Sequence, residues 1–90
     1  NLATRKFIKE TSHEFYEWTK DGNLNFDQRL YYAEVFNAFT DEYEDYKKWL
    51  TNRRFSEWLT HFAKYTDKEF TKARDSKGRF IEIHSDKTPF

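Results

Sequence analysis

The sequence predicts a small, mainly helical α+β domain. Three amphipathic stretches come first, each with apolar side chains recurring at steps of three and four residues. The end of the chain changes to the two-residue alternation of β-strands, on both sides of a turn that contains glycine. Aromatic residues make up 21% of the chain, and burying them allows a 90-residue chain that is 36% charged to form a core.

The first predicted helix runs from about Ala3 to Lys20. The sequence Asp21-Gly22-Asn23 ends it, with Gly22 suited to the left-handed position that follows a helix. Its apolar face is formed by Phe7, Ile8, Phe15 and Trp18.

The second predicted helix runs from about Asp27 to Tyr43, and either Asn25 or Asp27 can serve as its N-cap. The charged stretch 41–48 is interpreted as the end of this helix and a connection. The amphipathic stripe consists of Tyr32, Val35, Phe36, Phe39 and Tyr43.

The third predicted helix has the clearest signals. Thr51 is a good N-cap, and Leu50 and Phe55 occupy the two positions that pack together in a hydrophobic staple. The helix ends near Tyr65 and Thr66. Its buried face is predicted to hold Phe55, Trp58, Leu59 and Phe62, and its exposed face Arg53, Ser56, Glu57, Thr60 and Lys64.

Two extended runs, Phe70 to Arg74 and Arg79 to His84, predict a β-hairpin whose turn contains Gly78. Ile81 and Ile83 give the second strand an apolar face, which must pack on the helices because an isolated hairpin is marginal in water. Three helices followed by a two-stranded hairpin wing form the minimal winged-helix layout. We therefore predict one winged-helix domain over residues 1–84 and a loose C-terminal tail over residues 85–90.

Several functional classes are disfavoured by the composition. The chain has no cysteine, no transmembrane-length apolar run and no signal peptide, so we expect a cytoplasmic protein that does not engage membranes. His13, His61 and His84 are far apart, and two glycines cannot form a phosphate-binding loop, so we expect no enzyme, no metal and no cofactor. Because the chain begins at Asn1 and lacks methionine, we expect it to be a piece of a longer protein.

Basic residues concentrate in the second part of the chain. Residues 1–50 have seven Lys/Arg and ten Asp/Glu, a net charge of −3, whereas residues 51–90 have nine and six, a net charge of +3. In helix-turn-helix proteins the second helix of the motif enters the major groove, which here corresponds to the third predicted helix. Its candidate DNA-binding residues are Arg53, Arg54, Ser56, Thr60 and Lys64.

The hairpin adds four basic residues within eight positions, with Asp75 as the one acidic residue among them. A wing contacts the DNA backbone or minor groove through its tip, and lysine and arginine suit that role. The candidate wing residues are Lys72, Arg74, Lys77 and Arg79.

Two features weigh against strong sequence-specific DNA binding, so we expect weak, salt-sensitive binding in isolation, and the alternative is a winged-helix module that binds protein. Glu57 on the third helix repels phosphate unless it accepts a hydrogen bond from a cytosine amine. The exit of the second helix is acidic and would then be the contact surface, through Asp41, Glu42, Glu44 and Asp45. Aromatic residues predicted outside the core, which could stack on single-stranded bases, are Tyr16, Tyr31, Tyr46 and Phe80.

Over residues 5–84 the layout resembles the C-terminal winged-helix domain of phage and plasmid primase-helicases, the superfamily 3 helicases related to poxvirus D5. The similar features are Phe15-Tyr16-Glu17-Trp18, the stretch from Tyr32 to Phe39, Leu50-Thr51 with Phe55 and Leu59, and the segment from Arg74 to Ile81. The resemblance implies a DNA-binding module appended to an ATP-driven helicase, engaging duplex or forked DNA during replication of a phage or mobile element. Its partners would be DNA and the upstream helicase and primase domains of the same chain.

Overall fold

The computed structural model describes residues 1–85 and confirms a mainly helical α+β fold. Within those residues there are four α-helices, one 3-10 helix and three strands. The helices are α1 (Leu2–Glu10), α2 (His13–Lys20), α3 (Tyr32–Glu42) and α4 (Asn52–Tyr65), with the 3-10 helix Glu44–Lys48 between α3 and α4. The strands are β1 (Arg29–Tyr31), β2 (Glu69–Asp75) and β3 (Gly78–His84). The prediction of three helices and two strands therefore missed one of each.

The first predicted helix is in fact two helices, because Thr11 and Ser12 interrupt it. The Thr11 hydroxyl donates to the Phe7 carbonyl at 2.7 Å and ends α1. Ser12 is extended, and its hydroxyl oxygen accepts from the Phe15 amide at 3.0 Å, which begins α2 as an N-cap. Since the predicted apolar residues Phe7, Phe15 and Trp18 are all buried, the break redirects the chain without exposing its core side chains.

The second predicted helix begins five residues later than expected. Residues 29–31 form β1, and α3 starts at Tyr32. Neither Asn25 nor Asp27 is the N-cap of α3, a position held by Tyr31. Asp27 has a positive φ of 63°, and its carboxylate accepts hydrogen bonds from the amide and hydroxyl of Ser85. Asp27 thus holds Ser85, the first residue of the predicted tail, against the loop before β1. The rest of the predicted tail, residues 86–90, lies outside the described part of the chain.

The third predicted helix and the hairpin are confirmed nearly residue for residue. Thr51 caps α4 by accepting from the Arg54 amide at 3.0 Å, and Leu50 and Phe55 are both buried, as the hydrophobic staple requires. Gly78 has the predicted positive φ, at 132°.

The three strands form one antiparallel sheet in the order β1-β3-β2. Leu30 pairs with Ile81, and Phe70 pairs with Ile83, so these four side chains share the face that packs on the helices. The central strand is therefore held on both edges, which gives the hairpin the support that two strands alone would lack.

The core is a cluster of aromatic rings drawn from three helices. The ring of Phe15 lies 5.7 Å from Phe39, 5.6 Å from Phe55 and 5.2 Å from Trp58, measured between centroids. Contacts of this type add to the stabilisation from buried area, which explains how so few residues suffice. No helix within residues 1–85 is long and apolar enough to cross a membrane.

Candidate nucleic-acid interface

An open cleft of about 710 Å³ lies between the first half of α4, the start of α3 and the turn of the β2–β3 hairpin. Its residues from α4 are Asn52, Arg53, Ser56 and Glu57; those from the β1–α3 junction and the hairpin are Tyr31, Tyr32, Ala33, Lys77, Gly78 and Arg79. The cleft thus brings together the helix and the hairpin turn that the sequence singled out as separate basic segments.

The exposed face of α4 follows from its buried one. The side chains of Phe55, Trp58 and Leu59 point into the core, so Arg53, at the opposite side of the first turn, is directed into solvent. The Ser56 hydroxyl donates to the Arg53 carbonyl at 2.7 Å, and the Thr60 hydroxyl to the Ser56 carbonyl at 3.3 Å. Both hydroxyl oxygens can still accept a hydrogen bond from a ligand.

Four of the nine predicted DNA-binding residues line this cleft: Arg53, Ser56, Lys77 and Arg79. The other five do not. Arg54 and Thr60 lie on α4 outside it, and Lys72 and Arg74 lie along β2. Lys64 lines a separate cavity of about 300 Å³ formed with α1, so the predicted basic stripe is divided between two places on the molecule.

Most of the predicted cations lack a carboxylate partner. Within residues 1–85, no Asp or Glu oxygen lies within 4.0 Å of a charged nitrogen of Arg53, Arg54, Lys64, Lys72, Arg74 or Arg79. All six side chains are exposed. An anion that approaches them displaces no ion pair with a carboxylate of the described residues.

Arg74 and Arg79 are directly paired across the hairpin. Directly opposed residues have Cβ atoms about 4.5–5.5 Å apart and lie on the same face, where like charges destabilise the pairing. Arg79 also lies near the half-buried Tyr32. Burial raises the pKa of that phenol, and the positive charge of Arg79 opposes the increase. Two adjacent guanidinium groups therefore lie at the tip on the side that faces the helices.

Lys77 differs from the other candidates, because its ammonium group is paired with a carboxylate of the described residues. It lies 3.2 Å from a Glu34 carboxylate oxygen and 4.5 Å from the centre of the Tyr31 ring. Sequence reasoning missed Glu34, which is distant in the chain and carries no local signal.

The turn itself is anchored to β1 on the other face of the sheet. The Asp75 carboxylate accepts from the Tyr31 hydroxyl and from Arg29, and also from the backbone amide of Lys77 at 2.8 Å. These bonds, that from Tyr31 above all, hold the pKa of Asp75 below its ordinary value, so the carboxylate is charged at neutral pH. The turn of the β2–β3 hairpin is thereby positioned relative to the start of α3.

Of the four aromatic residues predicted to be available for stacking, two are buried instead. Phe80 packs edge-on against Tyr31 with the Arg29 guanidinium over its ring. Tyr46 lies in the core and donates to Glu14 at 2.7 Å; burial, with that hydrogen bond second, raises the pKa of Tyr46 to about 12. Tyr31 lines the cleft, but its ring already contacts Phe80 and the Lys77 ammonium. Beside it lies Tyr32, which was predicted in the amphipathic stripe of the second helix.

Within residues 1–85, no group of three or more histidine, aspartate or glutamate side chains is arranged to hold a metal ion. No family model, no curated protein and no solved structure matches this chain. The cleft and the cations around it are therefore the features of this chain that indicate a function.

Proposed function

We infer that this chain is a DNA-binding module of the winged-helix type, which docks α4 and the β2–β3 hairpin on the nucleic acid. The observation that carries the proposal is the cleft in which Arg53 of α4 and Arg79 of the hairpin face the same space, neither having a carboxylate partner among residues 1–85. The resemblance to primase-helicases extends the proposal to a replication protein of a phage or mobile element.

The order of the elements supports this arrangement. A winged helix needs a supporting helix, a recognition helix and then a hairpin, and α3, α4 and β2–β3 follow one another in that order. The connection between the two helices differs from the usual turn of three or four residues, because residues 43–51 include a 3-10 helix. The role of α4 therefore depends on its exposed face and not on a standard turn.

The contacts would be mostly electrostatic. An α-helix fits the major groove, which is about 12 Å wide, and the exposed side of α4 presents arginine and hydroxyl groups to it. The exposed cations of the cleft would gain phosphate partners and release the counterions that surround DNA. If about four phosphates are contacted, log K falls against log salt with a slope of about −3.6, or about 150-fold between 50 and 200 mM.

Fluorescence anisotropy with a labelled duplex at several salt concentrations tests the proposal. The decisive variant combines Arg53→Glu with Arg79→Glu. The matched control combines Arg5→Glu with Lys48→Glu, which changes the net charge equally at two exposed cations outside the cleft. We expect the first pair to abolish binding and the second to weaken it slightly. Equal losses would mean that overall charge, and not this cleft, attracts DNA.

A second candidate function is protein binding through the acidic surface, which we define as Asp41, Glu42, Glu44 and Asp45. All four are exposed, and Trp49 beside them has 52% of its surface accessible, unusual for so large an apolar side chain. If no duplex binds even at about 20–50 mM salt, where phosphate contacts are strong, this candidate replaces the first. Charge reversal at Asp41 and Glu44 would then remove binding to the upstream domains of the full-length protein.

A further inference from the structure

We propose that the cleft binds one unpaired nucleotide at the end of a nucleic-acid strand, with its phosphate on Arg53 and Arg79 and its base on the tyrosine side. This deepens the proposed function and rests on it, because it specifies which DNA the module prefers: a duplex with an unpaired end over a blunt one. Three properties of the cleft point to this ligand: its size, the presence of cationic residues on two walls and aromatic surface on another, and the position of the Glu57 carboxylate.

The size is that of a ligand site. A volume of about 710 Å³ is within the range of roughly 300–1,000 Å³ that small-molecule sites occupy. Contacts to the outside of a duplex need no such concavity, since phosphates are reached from an exposed helix face or a hairpin tip. The concavity indicates a group that projects from the nucleic acid.

The walls of the cleft differ in chemistry. Arg53 on α4 and Arg79 on the hairpin contribute positive charge from two sides. Tyr32, half-buried at the first residue of α3, contributes aromatic surface; the neighbouring Tyr31 also lines the cleft, but the Lys77 ammonium already lies over its ring. A paired base inside a duplex is stacked on its neighbours and cannot reach such a surface, whereas an unpaired base has an exposed ring face. A terminal nucleotide also avoids the cost of extracting a base from the stack.

The cleft also contains one carboxylate, that of Glu57. A carboxylate in a cleft that received only phosphates would repel its ligand, and Glu57 has no ion-pair partner among residues 1–85. The same carboxylate accepts well from the exocyclic amine of a base, as acidic residues do with cytosine N4. Thymine has no such amine. The cleft should therefore prefer a cytosine end over a thymine end.

The test compares three duplexes of one sequence by anisotropy: blunt, with a one-nucleotide dC overhang, and with a one-nucleotide dT overhang, the overhangs in 3′ and 5′ versions. Stacking of one base on an aromatic side chain should strengthen binding roughly five- to tenfold over the blunt duplex. We expect the dC overhang to bind more tightly than the dT overhang in at least one polarity.

Two variants assign the effect to the cleft. Tyr32→Leu should bring the overhang duplexes down to the affinity of the blunt one, with thermal unfolding measured to confirm that the variant folds. Glu57→Ala, at an exposed position, should remove the preference for dC over dT while strengthening blunt-duplex binding, because it removes a negative charge. A carboxylate with no contact to the base would instead change all three affinities by the same factor.

The outcomes separate this inference from the proposed function. If blunt and overhang duplexes bind equally well, the module binds DNA but the unpaired-nucleotide site is refuted. If none of the duplexes binds, both proposals fail. Free deoxycytidine 5′-monophosphate is the third arm: competition at concentrations similar to those of the overhang duplex would overturn the strand-end proposal in favour of a free nucleotide ligand.

Discussion

Reversing either charge of the Arg74–Arg79 pair should make the domain more stable. Reversal at Arg79 should also weaken DNA binding more than reversal at Arg74. Two unit charges about 6 Å apart in water repel by about 0.7 kcal/mol, and exposed cross-strand pairs contribute about 0.2–1 kcal/mol. Arg79→Glu replaces this repulsion by attraction to Arg74, its direct partner across the hairpin. We expect the free energy of unfolding to increase by about 0.5–1 kcal/mol, or about 2–8 °C in Tm for a domain of this size.

Urea denaturation followed by tryptophan fluorescence measures the stability, and anisotropy at several salt concentrations measures the binding. Arg79→Glu should reduce the steepness of the salt dependence by about one unit, as expected for one lost phosphate contact. Arg74→Glu is the matched control, because it relieves the same Arg74–Arg79 repulsion, but the substituted residue lies outside the cleft. It should give the same gain in stability with a smaller loss of affinity. An Arg79→Glu variant that is less stable than the parent, or that binds DNA unchanged, would refute the argument.

Three further predictions concern single contacts. Glu34→Gln releases Lys77 from its 3.2 Å ion pair, so DNA affinity should increase several-fold at low salt, measured by anisotropy; an unchanged affinity would show that Lys77 does not reach DNA. Tyr46→Phe removes the hydrogen bond that chiefly lowers the pKa of Glu14. A lowered carboxyl pKa stabilises the fold at pH values above the ordinary pKa of 4.5, and this stabilisation is lost as the pH falls through the lowered pKa. The variant should therefore lose less stability on acidification than the parent. At neutral pH it should be less stable by about 0.5 kcal/mol, a low figure because Glu14 is exposed. Thr51→Ala removes the N-cap of α4 and should cost about 1 kcal/mol in urea denaturation, whereas Thr51→Ser should cost little.

The parts of the fold that the sequence predicted well depend on local interactions. α4 has a capping residue, a staple and an apolar stripe within 15 residues, and the hairpin has alternation and a glycine turn within 16. β1 has no comparable signal, because three residues become a strand only when Leu30 pairs with Ile81. That pairing is 51 positions distant in the chain, and it overrode the helical periodicity that begins nearby.

The same distinction applies to the candidate site. Arg53 and Arg79 were found from local patterns of exposure and charge, and the structure places them around one cleft. Tyr31 was predicted to be available for stacking, but both it and Tyr32 were assigned to the second predicted helix, so their position opposite the hairpin could not be anticipated while β1 was missing. The position of Lys77 beside Glu34 likewise depends on the sheet that brings the hairpin turn to the start of α3.

The geometry of α3 also affects the choice between the two candidate functions. Tyr32, at its first residue, lines the cleft, and Glu42, at its last, belongs to the acidic surface. Ten residues of helix place them about 15 Å apart along its axis, so the two surfaces share no residue. DNA binding at one end and protein binding at the other would therefore use different side chains. If both occur, charge reversal at Asp41 and Glu44 should leave duplex affinity the same or increase it, because it removes negative charge from the molecule.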